Sequence, residues 1–280
     1  MAVASVIIPA HNEAASIGRN LRALRAGTHD DDLDVVVVCN GCTDQTAEVA
    51  RRVDPLARVI EIPQPSKAEA VRVGNAASDV FPRVHLDADI ELNGRDVLQL
   101  LEPITHDHVL ATAPRRDVPR TGCSRWVRWY YDVWESLPQV ESGLFGRGVV
   151  VLSEQAQARV TALPRMMSDD LGMSDSFSCE ERRVVPGAVA VVRPPRTVRD
   201  LVRRRIRIAT GNAQAGQLGV RRSASRTSVR TLMGLAVVRP GIALRLPVFV
   251  VVHVAAQLGA RRALRSGDLT TWQRDESSRS

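Results

Sequence analysis

Val84-His85-Leu86-Asp87-Ala88-Asp89-Ile90 is a short apolar run that ends in two carboxylates separated by one small residue. It reads as a buried strand leaving a sheet, which puts Asp87 and Asp89 side by side just past the strand's carboxyl end. Carboxylate oxygens suit hard cations, and Mg²⁺ is typically held by one or two carboxylates plus substrate phosphates. The pair is therefore a candidate site for Mn²⁺ or Mg²⁺ that a ligand would complete. The plainer reading is two solvated loop charges, and the rest of the chain decides between them.

Upstream, Val3–Ile8 closed by Pro9 is a β-branched run with the pattern of a buried parallel strand. After Ala10-His11-Asn12-Glu13, the residues Ile17, Leu21 and Leu24 fall on one face of a helix that Gly27 can end. Val35–Val38 is a second strand, running into Asn40-Gly41-Cys42-Thr43-Asp44, a turn able to cap a helix from Gln45 to Arg52. Arg58–Ile62 is a third strand, followed by Lys67 and a helix to about Ala77. Strands and helices alternating at this spacing predict an α/β fold with a doubly wound, mainly parallel sheet and helices on both faces. Ligands of such sheets bind beyond the carboxyl ends of the strands. His11-Asn12, Asn40–Asp44, Lys67 and Asp87/Asp89 each follow a strand end, so all are expected at one edge.

Downstream, a fifth strand is expected over Val109–Ala113, an irregular stretch rich in Arg, Gly and Trp over 114–147, and a strand over Gly148–Leu152 with a helix from about Glu154. Met167–Ser176 reads as an acidic loop holding Asp169 and Asp170, Val184–Val192 as a strand, and the region from Val198 as a helix carrying Arg199, Arg203 and Arg207 on one face. Residues 217–230 read as a polar, basic loop. Leu232–Leu264 is apolar but interrupted by Arg239-Pro240 and Arg245-Leu246-Pro247. Its unbroken piece, Val248–Ala260, is shorter than the roughly 20 residues that span a bilayer. A helix packed on the domain or lying at a membrane surface is expected there, with His253, Gln257 and Arg261 as a narrow polar stripe.

With 280 residues, 44% hydrophobic and 25% charged, the chain can bury a full core. Its formal charge of +7 is uneven: from Arg193 to Arg265 sixteen Arg stand against one acid, Asp200. That basic third calls for an anionic partner. Four Cys and no targeting segment point to a reducing, cytoplasmic location. Cys39-x-x-Cys42 has the spacing of redox or zinc sites, but Cys123 and Cys179 have no paired partners, so the thiols read as small fillers.

The order of these pieces resembles the family 2 glycosyltransferases of GT-A fold. Val6-Ile7-Ile8-Pro9-Ala10-His11-Asn12-Glu13, Val38–Thr46, Lys67 with Asn75, Asp87-Ala88-Asp89, Asp169-Asp170-Leu171 and Pro194–Arg207 follow the family's sequence of motifs over residues 3–211. The resemblance implies a nucleotide-sugar transferase domain over 1–211, with a nucleotide-binding half to about 113 and an acceptor-binding half over 114–211. A basic helical appendage over 212–280 follows, with a disordered tail from about 266. It implies a donor site built from Pro9, His11, Asn12, Glu13, Asn40, Asp44, Lys67 and Asp87. Asp89 would hold the cation, and Asp87 would meet the ribose or a metal-bound water. Arg203, Arg204 and Arg207 would clamp the diphosphate, and Asp170, or its neighbours Asp169 or Asp175, would be the base for the acceptor hydroxyl. Cys39 and Cys42 stand where the family usually has Asp and Ser. The processive Gln-x-x-Arg-Trp motif is missing, which favours an inverting transferase making a single addition.

Three competing placements remain. A sugar-phosphate nucleotidyltransferase would open on a Gly-rich loop, which Pro9–Glu13 lacks. A protein that binds a membrane surface or nucleic acid through its basic third would not need Asp87 and Asp89. For the transferase, the partners are a nucleotide-diphosphate sugar, an acceptor (glycan, lipid-linked sugar or small molecule) and peripheral contact with an anionic membrane at the inner face of the cell, with no nucleic acid.

Overall fold

The computed structural model describes residues 2–163, 169–217 and 227–266. Within them the chain divides into two compact units, the first made of 2–118, 147–163 and 177–192, the second of 119–146, 169–176, 193–217 and 227–266. The units are not contiguous in sequence: strands from beyond residue 147 join the first unit, and residues 119–146 join the C-terminal helices.

The first unit is an eight-stranded sheet. Its strands are β1 (Ala4–Ala10), β2 (Leu33–Asn40), β3 (Arg58–Ile62), β4 (Arg83–Leu86), β5 (Glu91–Leu92), β6 (Ala111–Asp117), β7 (Val149–Leu152) and β8 (Arg182–Val191), in the spatial order β3-β2-β1-β4-β7-β6-β8-β5. The β3-β2-β1-β4 half is parallel, while β7 runs antiparallel to β4 and β6. Helices α1 (Ile17–Arg25), α2 (Thr46–Val53), α3 (Lys67–Ala76), α4 (Gly94–His106) and α7 (Glu154–Thr161) belong to this unit. The two-residue alternation of strand side chains explains the layers. Ala4, Val6, Ile8 and Ala10 of β1 and Leu33, Val35, Val37 and Cys39 of β2 share one core with Ile17, Leu21 and Leu24 of α1. Ile7, Val36 and Val38 point to the opposite face, where Ala70 of α3 covers them. Gly74 allows α3 to lie this close, since a Cβ there would sit 2.4 Å from Ile7 Cγ2.

β1 connects toward β2 on one side, and the chain returns through α3 to β4 on the other. The crevice at the carboxyl ends of β1 and β4 is therefore the switch point at which open α/β sheets bind ligands. β1 pairs with β4 only as far as Ile7↔His85, so Pro9, which has no N–H to donate, falls past the last pair.

The second unit is helical: α5 (Arg125–Glu135), α6 (Pro138–Ser142), α8 (Asp169–Asp175), α9 (Val198–Gln217), α10 (Val229–Val238), α11 (Pro240–Ala243) and α12 (Leu246–Ser266). The apolar C-terminal helix is built into this unit. Ala256 and Ala260 of α12 pack with Ile206 and Ala209 of α9, Tyr130 of α5 stacks on Phe249 at 5.2 Å, and Arg245 pairs with Asp132 at 2.7 Å.

Three expectations are corrected. The stretch 114–147 is not irregular: β6 continues to Asp117, and α5 and α6 follow. The fifth long strand begins at Ala111 rather than Val109. The acidic segment forms the short helix α8 rather than a loop from Asp169 onward. Residues 218–226, most of the expected basic loop, and the tail from 267 lie outside the described residues.

Candidate active site

Asp87 and Asp89 sit on a tight turn that leaves β4, closed by the Ile90 amide donating to Asp87 O at 3.1 Å. Two residues fix this turn. Asn20, buried on the core-facing side of α1, donates from Nδ2 to Asp87 O at 3.0 Å and to Ile90 O at 2.6 Å. Gly148, just before β7, accepts from the Asp87 amide at 2.8 Å. Its φ of +66° suits glycine, and a Cβ there would lie 2.4 Å from Ile90 Cγ1 and 3.3 Å from Asp87 Oδ2. The carboxylates are thus presented by a backbone held from both sides.

Their environments differ. Asp87 Oδ1 accepts from Lys67 Nζ at 2.7 Å, in a pair about four-tenths exposed on both sides. Lys67 opens α3, whose N-cap Ser66 accepts from the Glu69 amide. Asp89 is half-buried and has no hydrogen-bond or ion-pair partner among the described residues. A half-buried carboxylate with no partner is costly unless a cation or donor arrives. The described residues hold no cluster of three or more His, Cys, Asp or Glu able to hold a metal. Two oxygen-donor side chains, one uncompensated, fit a hard cation whose other positions a ligand's oxygens fill. Beside them, His85 bonds Gln157 Oε1 at 2.7 Å, and loss of hydration pushes its pKa down to about 4, so it is neutral at pH 7.

The signature after β1 clasps the turn after β2. Asn12 takes φ +52°, a left-handed conformation that Asn tolerates, and its side chain bonds both ways to Thr43: Oδ1 accepts from the Thr43 amide at 2.7 Å and Nδ2 donates to Thr43 Oγ1 at 3.1 Å. His11 Nδ1 lies 2.5 Å from Asn40 O. The buried Asn40 donates to Ala10 O at 2.8 Å. Asp44 caps the start of α2 by accepting from the Thr46 amide at 3.0 Å, and its other oxygen accepts from the Ala14 amide at 3.1 Å. Glu13 is tied to the same helix, its amide donating to Thr46 Oγ1 at 2.7 Å. Gly41 (φ +55°) lets this turn pass Pro65, 2.8 Å from a would-be Cβ. Cys39, Gly41, Cys42, Thr43, Glu61, Ile62 and Pro63 line an open concavity of about 450 Å³ at the ends of β2 and β3. Cys39 is buried, and burial pushes its thiol up to about 12, so it is no nucleophile. All four cysteines are free.

Pro9, His11, Asn12, Glu13, Asn40, Asp44, Lys67, Asp87 and Asp89 thus all belong to the first unit, at or just past the ends of β1, β2 and β4 and the start of α3. Asn20 and Gly148 went unread in the sequence. Asn20 had a signal, as a polar residue three after Ile17 on the apolar side of α1. Gly148 had none, because its role depends on β7 lying beside β4. The remaining candidates belong to the second unit. Asp169 and Asp170 open α8, but their side chains lie outside the described residues, while Asp175 is buried. On α9, Arg203 pairs with Asp200 at 3.6 Å and Arg204 donates to Arg193 O at 3.2 Å, with Arg207 one turn on.

The sequence profile of glycosyl transferase family 2 matches residues 5–146, half of the chain. The chain belongs to the family 2 glycosyltransferases. Among curated relatives of this family 2 member, uncharacterised glycosyltransferases of Mycobacterium bovis and Mycobacterium tuberculosis are 32% identical over 114 residues, 41% of this chain. The chain spans about half the length (49%) of these relatives. Its fold is that of solved GT-A enzymes. A mannosyltransferase of Pyrobaculum calidifontis, solved with GDP-mannose and Mn²⁺, superposes with a TM-score of 0.64 at 20% identity, over 95% of this chain and 79% of that one. Glucosyl-3-phosphoglycerate synthase of Mycobacterium tuberculosis, solved with Mn²⁺, UDP-glucose and glycerol 3-phosphate, gives 0.55 at 22% identity, over 79% and 82%.

Proposed function

We propose that this chain transfers a sugar from a nucleotide-diphosphate sugar to an acceptor hydroxyl, in one inverting, cation-assisted displacement and one addition per encounter. The observation that carries the reading is the carboxylate of Asp89, without a partner among the described residues, beside Lys67-paired Asp87 at the sheet's switch point. Asp89 and Asp87 would hold Mn²⁺ or Mg²⁺, which stabilises charge on the departing diphosphate. The Mn²⁺ and nucleotide sugars of the two solved relatives agree with this choice.

The roles of the chain's own groups follow from their chemistry. The concavity beside Cys39–Thr43 would take the nucleotide's base. The Asn12–Thr43 clasp, the His11–Asn40 contact and the Asp44 cap would keep its walls rigid, so that little ordering remains when the donor binds. The Lys67 ammonium would exchange its Asp87 partner for a phosphate oxygen. Arg203, Arg204 and Arg207 would supply planar, bidentate donors to the same diphosphate. Asp170, with Asp169 as its alternative, would take the acceptor's proton as that oxygen attacks the anomeric carbon from the face opposite the leaving group, which gives inversion. The acceptor would be reached at the inner surface of a membrane, where the basic third is drawn to anionic lipid.

The test is incubation with Mn²⁺ and a panel of nucleotide sugars, following nucleoside-diphosphate release and the anomeric configuration of the product by NMR. Release that depends on one sugar nucleotide, with an inverted product, is expected. No binding of any sugar nucleotide, or release unchanged in Asp89→Ala, overturns the reading.

A further inference from the structure

Helix α12 is apolar on both sides. Phe249, Val252, Ala256 and Ala260 are buried within the second unit, yet Val250, Val251, Val254 and Leu258 are exposed, Val251 by 67%. A soluble helix normally turns a polar face outward, and one that is apolar all round is normally covered on every side. Helix α10 repeats the anomaly: none of its residues is buried, and Val229, Met233 and Val237 form a stripe at i, i+4 and i+8, joined by Val238 and by Leu244 just beyond. Nine of the twelve large apolar side chains exposed among the described residues lie between Val229 and Leu258. Such clustering marks a surface that works against another phase or partner.

Charge selects the partner. Between residues 201 and 267 the chain has thirteen Arg and not one Asp or Glu. Arg230 lies in the first turn of α10 and Arg239 just past its end, and the exposed Arg261 and Arg262 follow the outward apolar residues of α12. Apolar stripes bordered by arginines and free of acids match the boundary between acyl chains and anionic headgroups. Among the described residues no helix is long and apolar enough to cross a membrane. The 13 residues from Val248 to Ala260 reach only about 20 Å at 1.5 Å per residue, against a hydrocarbon core of about 30 Å.

We propose that the outward apolar stripe of α12, with Val250, Val251, Val254 and Leu258 entering the acyl boundary, lies in the plane of a bilayer containing anionic phospholipid, and that the exposed stripe of α10, with Val237 and Val238, makes the same kind of contact, the nearby arginines meeting the headgroups. The inference rests on the membrane contact in the function proposed above, and names the surface that makes it; it does not depend on the transfer chemistry.

The full chain is sedimented with vesicles of phosphatidylcholine alone and of phosphatidylcholine and phosphatidylglycerol in equal parts. The variant Val237→Asp/Val251→Asp is compared, with intact folding checked by circular dichroism and by an unchanged cooperative thermal melt. Expected are pelleting with the anionic vesicles, at least tenfold less with neutral ones or at high salt, and loss of pelleting in the variant. Wild-type pelleting that the variant retains overturns this face and leaves membrane contact standing. No pelleting of the wild type overturns both and leaves the transferase reading untouched. A dimer in solution that the variant dissociates overturns the lipid assignment in favour of a second copy.

Discussion

Replacing Asn20 by Leu tests how the metal turn is held. The change keeps the branched four-atom outline of the side chain, slightly enlarged, but removes both donations, to Asp87 O at 3.0 Å and to Ile90 O at 2.6 Å. A buried acceptor left without its donor costs about 1–3 kcal/mol. Asp87 O keeps the Ile90 amide at 3.1 Å, so most of the penalty falls on Ile90 O. The added apolar contact of Leu offsets part of it, leaving a loss of about 2 kcal/mol in stability. The second consequence is local: a turn free to open misplaces Asp89 relative to Asp87, and Mn²⁺ affinity falls about tenfold, or about 1.4 kcal/mol. Urea unfolding gives the first quantity. Electron paramagnetic resonance of free Mn²⁺, well below the melting temperature so that only folded protein is sampled, gives the second. A Leu variant within about 0.5 kcal/mol of wild type, the usual size of a neutral surface change, that also binds Mn²⁺ as tightly would refute the idea that Asn20 positions the carboxylates.

Gly148→Ala adds a Cβ against Ile90 and forces Ala into a left-handed φ; a loss of about 2–4 kcal/mol is expected in urea, and in a double-mutant cycle its cost should be smaller in an Ile90→Ala background by the part due to the clash. Lys67→Met should change stability by less than about 1 kcal/mol, since its ion pair is well exposed. The same variant should bind Mn²⁺ more tightly alone, because the competing ammonium is gone, and bind a nucleoside diphosphate with Mn²⁺ more weakly; calorimetry with and without the diphosphate reads both signs. Glu181 is held down to about 2 by hydrogen bonds from Arg159 and then from the Ser178 amide. Its folded pKa lies below the unfolded one, so its contribution is present above about pH 4.5 and fades as pH falls toward 2. Glu181→Gln should therefore be less stable than wild type at pH 7 and converge with it on acid titration.

How much of this was legible varies by element. The alternating cores of β1 and β2 follow from short β-branched runs bounded by Pro9 and Asn40, and the covered switch point follows from the alternation of strands with helices. Helix α5 was missed although Trp126, Tyr130 and Trp134 repeat at helical spacing, because aromatic residues are indifferent helix formers and the Arg and Gly nearby suggested a loop. The two-residue β5 carries too little pattern to read. The insertion of antiparallel β7 between β4 and β6, and the joining of residues 119–146 to the C-terminal helices, are non-local pairings that no window of sequence contains. At the site, residue types were readable but their employment was not. Asn40 and Asp44 are expected to meet base or ribose, and Asp44 could equally cap a helix; the structure adds that they bond Ala10 O and the Thr46 amide.

The most direct test of the central claim is a titration of Mn²⁺ into the protein in the presence of a nucleoside diphosphate, comparing wild type with Asp89→Asn. The variant preserves shape and removes only the uncompensated charge. The account predicts Mn²⁺-dependent nucleotide binding in the wild type and at least a tenfold weakening in the variant, with no loss of thermal stability. Equal binding by both proteins would contradict it.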